Sequence, residues 1–112
     1  MLVIDGPLFK SFENDSKAGT TARIDQWLVQ VRPEWASVDP GSRQAILPAM
    51  LEEAQLAGLS CERDVAVFAA ICVALGEDWQ ARLREPRISA VLSDPEYRPE
   101  AKLLWLGEVF HL

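Results

Sequence analysis

From Val65 to Leu75 the chain carries an unbroken run of eleven apolar residues, VAVFAAICVAL. Neither a helix nor a strand built from such a run has a polar face to turn to water, so the rest of the chain has to enclose it. Its alanines favour helix over a buried strand, which is the competing assignment. Ser60 stands where an N-cap belongs. Glu62 and Asp64 fall in the first turn, where the helix dipole favours negative charge, and Gly76 supplies a stop. Together these signals predict a central helix over about residues 61–75.

The flanking sequence reads as shorter amphipathic helices with clear punctuation. Asp5-Gly6-Pro7 looks like a helix opening, with Leu8, Phe9 and Phe12 on one face. Asn14 to Gly19 is polar and small, and Ile24, Trp27, Leu28 and Val31 then recur at helical spacing until Arg32-Pro33. Residues 7–31 therefore form two helices, or one long helix with a flaw at Lys17 to Thr21; the reading leans to the second. Glu34 to Val38 is a connector holding Trp35. Asp39-Pro40-Gly41-Ser42 opens the next helix, Ile46, Leu47, Met50, Leu51 and Ala54 form its stripe, and Gly58 closes it as a left-handed cap. Pro48 either bends this helix or sits in the first turn of one that begins near Leu47.

Beyond the central run, Glu77 to Leu83 is a short helical or turn segment with Trp79 and Leu83. Pro86 opens a short helix that turns Ile88, Val91 and Leu92 inward, and Ser93-Asp94-Pro95 stops it. Pro99 opens the last helix, with Leu103, Leu106 and Phe110 on one stripe and Leu104 and Trp105 beside it. The expected fold is all-α: residues 1–112 as one compact bundle of about 4–6 helices around the central one.

With 112 residues and a formal net charge of -6, the chain is poorly suited to a phosphate backbone or an anionic membrane surface. No run reaches the ~20 apolar residues of a membrane span, and the Met1 to Ile4 start is too short for a signal sequence, so the expected compartment is the cytoplasm. Cys61 and Cys72 lie eleven residues apart on one predicted helix. At ~1.5 Å per residue that separation is ~16 Å, beyond disulfide reach, and two reduced thiols fit the same compartment.

No constellation spells out a reaction. His111 is the single histidine. Cys61, at a helix start where a thiolate gains some stabilisation, pairs with it only by a coincidence of folding. Cys72 sits in the apolar run and reads as core. One histidine and two separated cysteines do not make a zinc cage. The carboxylate pairs Glu52/Glu53, Glu62/Asp64 and Asp94/Glu96 lack calcium-loop spacing and read as solvated faces or helix-start charges. No glycine-rich phosphate loop is present. The expectation is no catalytic residue, no metal and no cofactor.

What remains is surface. Trp27 and Trp105 lie on helical stripes, whereas Trp35 and Trp79 lie in connectors, where a tryptophan either plugs a gap between helices or anchors a partner. Arg82, Arg84 and Arg87 form a small basic rim beside Trp79; they either meet partner carboxylates or neutralise Glu77, Asp78 and Glu85. The candidate partner-binding residues are thus Trp35, Trp79, Arg82, Arg84, Arg87 and Trp105. A homodimer through Leu104, Trp105 and Val109 is compatible with the same pattern.

The segment GLSCERDVAVFAAICVALGEDW, followed by REPRISAVLSDPEYRPEAKLLWL, resembles a family of small all-helical proteins encoded beside type VI secretion effectors in Gram-negative bacteria. Gly58 to Asp64 is similar to the family's GLTSERD-like start, and Leu75 to Trp79 to its LG-x-D-[FW] ending. Pro86 to Leu92 resembles its proline-opened helix and Leu92 to Pro95 its L-x-D-P stop. The VRPEW stretch resembles the end of the family's first helix more loosely, and Gly19-Thr20-Thr21 departs from that helix. The resemblance implies a non-catalytic accessory protein, an adaptor or co-chaperone whose partner is a secreted effector, its adaptor chaperone, or both. An immunity protein that blocks a toxin with acidic residues is the alternative. An enzyme or small-ligand binder, the third class, requires a formed pocket with convergent polar groups.

Overall fold

Local signals set most of the element boundaries. The computed structural model describes residues 17–111. Within them the chain forms α1 (Lys17–Val31), α2 (Pro33–Ala36), α3 (Pro40–Leu56), α4 (Glu62–Leu75), a 3-10 turn (Gly76–Asp78), α5 (Trp79–Leu83), α6 (Pro86–Leu92) and α7 (Pro99–Val109). The described residues contain no strand, and five of these helices are seven residues or longer, so the fold is all-α. The opening at Asp5-Gly6-Pro7 and the face of Leu8, Phe9 and Phe12 lie outside the described residues, and with them the question of one helix or two over 7–31. The suspected flaw at Lys17 to Thr21 is helical.

Four proline signals act as their chemistry requires. Arg32 is extended, with φ -130 and ψ 99, because the residue before a proline disfavours the helical region. Pro33, Pro40, Pro86 and Pro99 each occupy a first-turn position, where a missing N–H leaves no bond unmade. At α3 the cap is complete: Asp39 Oδ2 accepts from the Ser42 backbone N–H at 3.1 Å, and Oδ1 accepts from the Ser42 hydroxyl at 2.7 Å. Gly41 makes room for it, since a Cβ there would lie 3.2 Å from Asp39 Oδ2.

The other end of α3 closes through Gly58, at φ +86. Gly58 N–H bonds to Gln55 O at 3.0 Å and Leu59 N–H to Ala54 O at 3.0 Å, and Leu59 and Ala54 are both buried. That pairing is the Schellman arrangement, which needs a left-handed residue and favours glycine. Between these ends α3 runs unbroken through Pro48. The proline lies inside a continuous helix and opens none.

α4 is the spine. It touches α1, α2, α3, α5 and α7 and buries Val65, Ala66, Phe68, Ala69, Ile71, Cys72 and Val73. Its start is one residue later than the sequence suggests: the cap is Cys61, whose Sγ accepts from Asp64 N–H at 3.4 Å, and Ser60 stays exposed in the loop. Gly76, at φ 85, ends it. The enclosure is also incomplete. Val67, Ala70 and Ala74 recur along one side of α4 and stay half-buried, so the spine reaches the surface along a single stripe.

Among the described residues two charged side chains are buried in the bundle, each with hydrogen-bond partners. Glu62 has a side chain with 0% exposure and is held by the Arg23 fork, Nε to Oε2 at 3.1 Å and Nη2 to Oε1 at 2.8 Å. The pair joins α4 to α1. Lys102 on α7 is also buried; its Nζ donates to Ala57 O at 2.6 Å and Leu92 O at 2.7 Å. Those carbonyls end α3 and α6, where the helix dipole favours a cation. The Trp27 indole nitrogen is buried and makes no hydrogen bond among the described residues.

Candidate functional site

α1 and α3 pack side by side and leave a cleft of about 590 Å³ between them. Its α1 wall carries Thr20, Thr21, Asp25 and Gln26; its α3 wall carries Gln44, Glu52 and Gln55; the buried Leu47 and Leu51 lie in its floor. The volume falls in the range of a small-molecule or peptide site.

The walls are fixed by one network. Asp25 Oδ1 accepts from Trp35 Nε1 at 2.8 Å and from Arg43 Nε at 3.0 Å, and Arg43 Nη1 donates to Val38 O at 2.7 Å. α1, α2 and the start of α3 are locked together at this point. The connector expected around Trp35 is therefore a helical turn, α2, and it delivers the indole N–H to a carboxylate.

Pro48 is exposed on the cleft wall. A proline in a helix interior has no N–H, so the Gln44 carbonyl loses its usual donor four residues on. The local cost is about 3 kcal/mol relative to alanine. Exposure means that no core packing offsets it at Pro48 itself.

The residues singled out from the sequence are not brought together at this cleft. Trp35 and Trp79 are 3% and 7% exposed, so both fill gaps between helices and turn little surface to a partner. Trp105 is half-buried on α7. Arg82, Arg84 and Arg87 are exposed. Arg82 stacks over the Phe110 ring, 5.1 Å from its centroid, and Arg84 pairs with Glu53 at 3.2 Å, a carboxylate outside its own segment. Leu104, at 69% exposure, stands on the outer face of α7.

Partial desolvation pushes the Cys61 thiol above its usual range; the Asp64 backbone N–H opposes the rise and the Asp64 carboxylate adds to it. Burial pushes Cys72 far higher. Among the described residues no group of three His, Cys, Asp or Glu side chains could hold a metal ion. No described helix is long and apolar enough to cross a membrane.

Sequence reasoning missed Asp25, Arg43, Arg23, Glu62 and Lys102. Their roles depend on partners between 10 and 45 residues away, and no local pattern encodes such a partner. Pro48 was the one visible signal of the cleft. Set beside known proteins, the chain matches no family model, no curated protein and no solved structure.

Proposed function

We propose that this domain acts by binding another protein, as an adaptor or co-chaperone for a type VI secretion effector or for the chaperone that loads one. The observation that carries the protein-binding part is the α1–α3 cleft, whose shape is set in advance by the Asp25–Trp35–Arg43 network. A preorganised site loses little ordering entropy on binding. Asp25 and Arg43 at that site hold one another in place, and burial raises both thiols. The secretion role comes from the resemblance in the second half of the chain.

Deleting the gene in a strain whose type VI system is active tests the role. Export of the neighbouring effector falls, while sister cells stay as resistant to it as before. Normal export combined with poisoning of the deletion strain by its sisters replaces the adaptor reading with the immunity reading.

A further inference from the structure

We infer that the cleft between α1 and α3 receives a short basic segment of the partner protein, extended along α3, with a lysine or arginine paired to Asp25 or Glu52. That the occupant belongs to a protein rests on the reading above; the charge and reach of the site come from its own residues.

The walls offer acceptors. Arg43, the one cation among the described lining residues, already donates to Asp25 and to Val38 O. Both bonds to Asp25 fall on Oδ1, so Oδ2 takes neither of them. Glu52 is exposed on the opposite wall. An anionic ligand would meet a carboxylate on each side, whereas a cation gains from either. The apolar floor of Leu47 and Leu51 suits the methylene stem of a lysine or arginine.

Pro48 supplies the second, independent observation. An exposed proline in mid-helix breaks a local rule with no packing gain at its own position, and such breaks concentrate at functional positions. Its consequence is a Gln44 carbonyl without its helix donor, and both Gln44 and Pro48 line the cleft. A backbone N–H from an extended peptide matches that acceptor. Lining residues 43 to 55 of α3 span ~18 Å at ~1.5 Å per residue, the reach of roughly five or six extended residues.

The test titrates the full chain with a short arginine-rich peptide, a glutamate-rich peptide of equal length, and spermidine. Binding is followed by calorimetry and by the NMR signal of the Trp35 indole N–H, which is bonded to Asp25. The arginine-rich peptide saturates and moves the Trp35 signal; the glutamate-rich one does neither. Glu52→Lys weakens binding ~10-fold or more, a single charge reversal at the site. Pro48→Ala weakens it too while raising Tm, so that loss is not misfolding. No saturable binding, equal binding of the glutamate-rich peptide, or an unchanged affinity in Glu52→Lys overturns the inference. Spermidine binding as tightly as the peptide overturns its peptide part. A complex with a neighbouring gene product that survives both substitutions overturns the inference and leaves the protein-binding role standing. Peptide binding without any such complex supports the cleft chemistry and removes only the secretion role.

Discussion

Arg23 and Glu62 illustrate how unequal the two ends of one ion pair can be. The Glu62 side chain has 0% exposure and the Arg23 side chain 24%. Removing the arginine strands a buried carboxylate; removing the carboxylate leaves an arginine that can turn to water. Arg23→Ala is therefore expected to cost ~3–5 kcal/mol and Glu62→Met clearly less, measured by urea unfolding. Equal losses would contradict the asymmetry. Lys102 poses the mirror case, a buried cation held by two carbonyls. Lys102→Met is expected to cost ~2 kcal/mol, as for hydrogen bonds to a charged group, and to speed amide exchange at the ends of α3 and α6. Neither Glu62 nor Lys102 could be read as buried from the sequence. A glutamate in a first turn has a sufficient local explanation in the helix dipole, and the arginine that pairs with it is 39 positions away. The cap at Ser60 was misplaced by one residue for a similar reason: a cysteine is an unusual N-cap, and here its sulfur does what the neighbouring hydroxyl was expected to do.

At the scale of elements the punctuation was largely legible, because capping chemistry is local. Asp39, Gly58, Gly76, Pro86 and Pro99 all act where the pattern placed them. The glycines make a matched pair of predictions. Gly76 has φ 85, so Gly76→Ala is expected to destabilise by ~1–3 kcal/mol. Gly107 lies inside α7 with nothing within 4 Å of a built Cβ, so Gly107→Ala is expected to stabilise by ~1 kcal/mol. Thermal melts of the two variants should move in opposite directions. The start of α3 carries a pH dependence of known sign. Hydrogen bonds from Ser42 hold the Asp39 carboxyl below its ordinary 3.8. Its contribution is complete above that value and fades as pH falls through the lower folded one. Asp39→Asn, which can still cap, is expected to keep Ser42 amide protection near neutral pH and to remove its dependence on acid. What the sequence left open at this scale was Pro48, since a proline in the first turn and a proline in mid-helix share one local pattern. The packing of α3 along α1 and α4 holds the helix through it.

For the molecule as a whole, α4 holds the other elements in place. Phe68 on α4 is fully buried, and Phe68→Ala is expected to lose ~3–5 kcal/mol in a single cooperative transition. That is a large share of the 5–15 kcal/mol typical of a domain. The all-α architecture was legible because one apolar run dictates a centre and prolines divide the remainder. The cleft was not, because it lies between two helices whose walls are tied by Asp25, Trp35 and Arg43, partners 10 and 18 residues apart in the chain. The arginines at α5 and α6 do not line the cleft, and Arg84 makes an exposed pair with Glu53, worth little in water. The central claim is that the molecule works by docking. Its most direct test is to co-express the full chain with the products of the two genes that adjoin its own, purify through a tag on this chain, and determine the mass of what elutes by light scattering. A stoichiometric complex with one of those two proteins is the predicted result. A lone protein of 12.5 kDa or its homodimer, with both neighbours well expressed and soluble, would contradict it.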